Sequence, residues 1–198
     1  LKTKLSKKEI ALSVLTFIIC TVFLSVALFC TIWIGIERDI VGFITNHISN
    51  VMVVGVTVVT LSAITYAYFY FENTTVLTKK LKIVEIYFLI ILSFILCFVI
   101  GKYVEGTARP LLFFPLMAAM ILRRRDSVFI TTVYTIIVFI FDRYLNSTGS
   151  TGVLSVGGIS QIESISSLLT LFCGGVMGIL LLRKVKTRLS CVMVALLL

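Results

Sequence analysis

Long apolar runs alternate with short charged stretches along this chain, and their lengths predict helices over roughly Ile10 to Ile36, Ile48 to Phe71, Ile86 to Gly101, Ala108 to Leu122, Ser127 to Phe141, Ser164 to Leu182 and Leu189 to Leu198. A hydrocarbon core of ~30 Å, crossed at ~1.5 Å per residue, needs about 20 helical residues. The first, second and sixth runs meet that length, whereas the third, fourth and fifth need their polar flanks. The fourth is the weakest span, since its strictly apolar part runs only from Leu111 to Ile121. It must borrow from Lys102 to Pro110 or form a shallow hairpin with the fifth. The pattern therefore predicts an all-α, polytopic transmembrane helical bundle of about seven apolar segments.

Charge gives the bundle an orientation. Threading the segments alternately through a bilayer puts Lys2, Lys4, Lys7, Lys8, Lys79, Lys80, Lys82, Arg123, Arg124, Arg125, Arg183, Lys184, Lys186 and Arg188 on one face, and only Arg38, Lys102, Arg109 and Arg143 on the other. The excess of basic residues in short loops marks the cytoplasmic side, so the amino terminus is predicted to be cytoplasmic. The net charge of +9 is then mostly topogenic. Basic loops beside lipid meet anionic headgroups, and no basic patch interleaved with aromatics on a soluble face points to nucleic acid.

Composition agrees: 59% of the residues are hydrophobic and the mean hydropathy is +1.13, far from the soluble mix. The first run has a basic start but is much longer than the apolar stretch of a signal peptide, so residues 1–9 read as a cytoplasmic flank and 10–36 as a retained signal anchor. Residues 48–198 read as a multi-helix membrane domain that ends before a further helix. The connection from Glu37 to His47 is predicted to be a short outer loop, Glu72 to Glu85 an inner polar turn, and the Gly- and Ser-rich stretch from Asp142 to Glu163 a set of turns or a re-entrant excursion.

Candidate chemistry is sparse. His47 is the only histidine, so an HExxH zinc site, which needs two, is excluded, and a histidine-based triad would have to use this one imidazole in a short outer loop. The cysteines lie in or beside apolar segments without CxxC spacing, which favours packing over metal or disulfide roles. Glu37, Asp39, Glu72, Glu85, Glu105, Asp126, Asp142 and Glu163 flank the segments rather than occupying them, leaving no mid-bilayer charge to mark an ion path. No catalytic, cofactor or metal residue is assigned. Asp142 and Arg143, adjacent at the outer boundary, are candidates for an outer-face ligand site or a helix anchor. Pro115 removes a backbone donor inside the fourth segment and is the candidate hinge. Gly174 and Gly178 form a GxxxG, with Gly175 beside them, suited to close helix packing within the bundle or, less directly, to a homo-oligomer. Tyr66, Tyr68, Tyr70, Phe69 and Phe71 crowd one end of the second segment as an aromatic belt.

The stretch "RPLLFFPLMAAMILRRRDSVFITTVYTIIVFI", a Pro entering a short Met- and Ala-rich helix, a tight polar turn and a second short helix, resembles the membrane region of bacterial seven-transmembrane HD-phosphodiesterases, the PgpH-like family. So do the Gly-rich helix and basic turn of "LLTLFCGGVMGILLLRKVKTRLSCVMVALLL" and the aromatic helix end of "ITYAYFYFENTTVLTKKLKIVEIYFLIILS". The likeness covers about Val51 to Leu198. Two departures stand out: only Glu37 to His47 occupies the place of the family's large extracellular domain, and the turn "RRRDS" is unusually basic. The resemblance implies a sensor or transducer in the bacterial inner membrane that regulates a cytoplasmic HD phosphodiesterase acting on a cyclic dinucleotide such as cyclic di-AMP, under an extracellular small-molecule signal. It puts the divalent metal in that HD domain, outside these residues. The alternative from the residues themselves is a small-solute permease or the substrate-binding membrane subunit of a transporter.

Overall fold

The computed structural model describes residues 7–36, 40–103, 112–147 and 161–182, all helical apart from short connections. Seven helices follow in order: α1 (Lys7–Ile36), α2 (Ile40–Glu72), α3 (Thr74–Thr78), α4 (Lys80–Tyr103), α5 (Phe113–Ile121), α6 (Arg124–Ser147) and α7 (Gln161–Leu182). Among the described residues three stretches are long and apolar enough to cross a membrane, Lys8–Thr31, Met52–Glu72 and Lys80–Ile100. The protein is thus an all-helical chain with the character of a membrane protein.

Several boundaries differ from those expected. Residues 40–47 of the predicted outer loop are the start of α2; Ile40, Val41, Phe43 and Ile44 extend the apolar run and no proline interrupts it. The predicted inner turn contains the short helix α3, and the third apolar segment begins earlier, at Lys80, within α4. The seventh segment, Leu189 to Leu198, lies outside the described residues, as does most of the Gly- and Ser-rich connection.

The chain forms two compact units, Leu1–Leu92 and Ser93–Leu198, whose boundary falls inside α4. In the first unit α1 packs along α2, and α3 packs against both. The seam is apolar at a helical period, with Phe17, Leu24 and Leu28 of α1 and Val54, Val58 and Leu61 of α2 buried. Outward-facing Leu15, Ile19 and Phe23 are 52, 48 and 66% exposed, an apolar exterior that suits lipid rather than water. The aromatic residues divide between roles. Phe69 is fully buried and Phe71 is exposed, while Tyr66 stands edge-on to Phe17 at 5.1 Å, so this end is part core and part belt. Asn73, between α2 and α3, is buried, accepts a hydrogen bond from Thr75 Oγ1 and passes its carbonyl to the Val76 N–H.

In the second unit α5, α6 and α7 pack on one another. Helix α6 is its centre: Ile130, Val133, Tyr134, Ile137, Val138 and Phe141 are buried. The Phe141 ring meets Phe94 edge-on at 4.4 Å, and Tyr134 stacks on Phe114 at 4.4 Å.

Candidate functional site

In the second unit α5 and α6 pack on each other across a short turn. Helix α5 has nine residues, about 14 Å of axial rise, less than half of the ~30 Å hydrocarbon thickness. It ends where Leu122 turns to an extended backbone and its N–H bonds Ala118 O at 2.9 Å. Arg123 follows, its carbonyl accepting from the Ser127 N–H at 2.8 Å, and α6 has begun. Arg123, Arg124 and Arg125 are exposed, whereas Asp126 is buried in the first turn of α6. A carboxylate there complements the helix dipole. It flanks the apolar segment, as its position in the sequence implies, and is buried there.

Pro115 does not kink a helix. It is the third residue of α5, and the Leu116 N–H bonds Leu112 O at 3.2 Å. In a first turn the backbone N–H has no intrahelical partner, so proline's missing donor costs nothing. Helix α5 begins at Phe113, so Pro115 stands in its first turn, and the predicted start of the segment at Ala108 lies outside the described residues.

The glycines of α7 bring the third wall in. A Cβ at Gly175 would lie 3.0 Å from Thr131 Cγ2 and 3.1 and 3.2 Å from the Pro115 ring; one at Gly174 would lie 3.2 Å from the end of Leu112. Gly175 is therefore the position where α7 rests directly on both arms of the hairpin. Gly178, the second residue of the GxxxG, is buried. Asp142 and Arg143 belong to α6, which continues past them to Ser147, so they do not end the helix; their side chains lie outside the described residues.

At this junction sits a feature that sequence reading did not single out. Ser127 and Thr131 lie four residues apart, on one face of α6, both fully buried. Neither hydroxyl has a hydrogen-bond partner. Their neighbours behave conventionally: Thr132 Oγ1 donates to Val128 O at 3.0 Å and Thr135 Oγ1 to Thr131 O at 2.8 Å. An unsatisfied buried hydroxyl costs on the order of 1 to 3 kcal/mol, so two together are a departure that packing alone does not reward. One turn further, Tyr134 Oη and Ser93 Oγ share a hydrogen bond at 2.9 Å, both fully buried. The spacing of hydroxyls in "DSVFITTVYT" is the signal that was available. It was hidden because threonine on a membrane helix ordinarily bonds its own backbone.

Chemically, the pair offers two donors and two acceptors in a dry setting beside a short helix. That suits a bound water or a small neutral polar group. Among the described residues no cluster of His, Cys, Asp and Glu has metal-binding geometry. Cys20 and Cys97 are buried, Cys30 and Cys173 are exposed, and all four are free thiols. Comparison with protein-family models, curated proteins and solved structures finds no match to this chain.

Proposed function

We propose that this chain is a multi-pass sensor and transducer domain of a bacterial inner membrane, with its amino terminus cytoplasmic and about seven membrane segments, controlling a cytoplasmic HD phosphodiesterase that hydrolyses a cyclic dinucleotide such as cyclic di-AMP. The observation that supports this reading is the α5–turn–α6 hairpin seated on the Gly-rich α7. These are the segments whose sequence resembles the PgpH-like family, and they pack as one unit. A signal at the outer loops or in the lipid shifts the fit of α7 on Pro115 and Thr131. Transduction of this kind requires two packings with different affinity for the signal. The test is hydrolysis of cyclic di-AMP, with manganese, by the full-length gene product and by this chain alone. Activity confined to the full-length protein and altered by Gly175→Ala supports the reading; a full-length product with no hydrolase activity overturns it.

The orientation has its own test. Single cysteines at Lys80, Arg124 and Lys184 should resist a membrane-impermeant reagent in intact cells, while those at Asp39 and Ser150 react. Labelling at Arg124 from outside sinks the topology.

A second reading, a small-solute permease or the substrate-binding membrane subunit of a transporter, is favoured by the unpaired Ser127 and Thr131 hydroxyls beside a helix too short to span. Broken or short helices line solute sites in several transporter folds. Uptake of a neutral polar solute that depends on both hydroxyls would put this reading first.

A further inference from the structure

The first unit carries a groove along the seam of α1 and α2, about 340 Å³ in volume, walled by Val14, Ile18 and Val22 on one side and Val59, Ala63 and Tyr66 on the other. Ile18, Val22 and Val59 are each more than half exposed, so the groove opens outward, toward lipid. A recess of about 240 Å³ continues the same seam past Ser25 and Phe29 to Gly55, where a Cβ would meet nothing within 4 Å. From Val14 to Phe29 the two follow roughly 22 Å of helix, more than one leaflet's ~15 Å of hydrocarbon.

We propose that this groove binds one acyl chain of an anionic phospholipid, whose phosphate is held by the lysines at the same end of the unit. Shape and charge together select the occupant: an elongated apolar groove between two helices that ends beside exposed lysines suits a hydrocarbon chain carrying an anionic head.

The floor is dry: Thr21 Oγ1 donates to Phe17 O at 2.8 Å, and Ser62 is engaged by Tyr87. At the Val14 end Tyr66 Oη, a lining group, lies 3.4 Å from Ser13 Oγ, which is buried and donates to Ile10 O at 2.9 Å. Beyond that end, Lys8 of α1 is exposed, about 9 Å of helix before Val14. Lys79 and Lys80, which follow α3, are exposed too, and α3 packs against both α1 and α2. Among the described residues at this end, Lys8, Lys79, Lys80 and Lys82 stand against Glu9, Glu72 and Glu85, which leaves a small positive excess. Juxtamembrane lysines are attracted to an anionic surface, so an apolar groove that ends at a cationic rim matches an acyl chain followed by its phosphate.

The inference rests only on the first unit crossing a bilayer. The test is native mass spectrometry of the full chain in neutral detergent, titrated with dioleoyl phosphatidylglycerol and dioleoyl phosphatidylcholine. The expected result is at least about tenfold tighter binding of the anionic lipid. Lys79→Gln with Lys80→Gln should bring the preference close to one and leave residual binding. Ala63→Phe, or independently Ile18→Trp at the opposite wall, should weaken both lipids tenfold or more while the helical circular dichroism of each variant stays that of the parent. Equal binding of the two lipids, or undiminished binding by both groove-filling variants, overturns the proposal. So does a dimer that both fillers dissociate, which assigns the face to a second copy. A protein recovered soluble without detergent removes the membrane premise itself.

Discussion

Hydroxyls on the helices of the first unit turn inward to their own backbone. Thr16, Thr21, Thr57, Thr60 and Thr65 each donate to the carbonyl four residues back at 2.8 Å. In the second unit Ser127 and Thr131, on an equally regular helix, do not, and they are sealed beneath α5 and α7. Glycine differs in the same sense. Gly55 faces open space, whereas Gly175 sits against Thr131 and Pro115. The first unit is built to be solvated by lipid, with its polar groups neutralised locally; the second holds uncompensated polarity under close packing, and that is where a change of state has most to gain.

The largest expected effect tests the contrast between the glycines. Gly175→Leu must displace Thr131 and the Pro115 ring, so it should lose about 1 to 3 kcal/mol by overpacking, read as a lower unfolding midpoint in detergent. Gly55→Leu should lose nothing measurable, since its side chain enters open space. If both variants melt alike, the two units do not differ in packing tightness.

Next comes the hydroxyl pair. Thr131→Val keeps the shape and removes an unpaired polar atom, so it should stabilise by about 1 kcal/mol. Thr21→Val, which gives up a bond to Phe17 O, should be neutral or slightly destabilising. Destabilisation by Thr131→Val would mean that its hydroxyl holds a water or solute, and would sharpen the contrast in favour of a polar binding site.

How much of this was legible depended on which interaction shaped each element. The three long apolar helices follow from run length alone, because burial in lipid is set by composition. Helix α6 escaped that logic: its Asp126, Ser127, Thr131 and Thr135 sit within an apolar pattern, and only tertiary packing buries them. Gly174 and Gly178 were readable as a packing motif, but Gly175 as the tightest contact was not, since that depends on where the hairpin lies across α7. Residues 40–47 of the predicted outer loop joined α2 because no proline lies between Ile40 and His47 and the apolar run continues through Phe43 and Ile44, a signal that charge counting does not weigh. The resemblance to a signalling family rested on apolar patterns from about Val51 to Leu198, in both units, and no single side chain there displays the function that it implies.

A smaller effect concerns the buried link between Tyr134 and Ser93. Tyr134→Phe keeps the stack on Phe114 and forfeits one hydrogen bond of 2.9 Å. Hydrogen bonds between membrane helices average about 0.6 kcal/mol, so the midpoint should fall only slightly, and Ser93→Ala on the same background should add little more. A double-mutant cycle that gives a coupling near zero would show that the two hydroxyls find other partners, and that the second unit's polarity is looser than its burial suggests.

The smallest effect is expected at Pro115. Its place in the first turn of α5 means that Pro115→Ala gains no intrahelical bond and removes no bend; the loss is confined to ring contacts beside Gly175. Stability should therefore change only by the packing of those buried ring atoms. The informative reading is the combination with Gly175→Ala. A Cβ at 175 needs room that the Pro115 ring occupies, so shortening the ring should recover part of what the glycine substitution costs, whereas a hinge at Pro115 would make the two losses add. Recovery places the residue as a wall against α7; strict additivity restores the hinge.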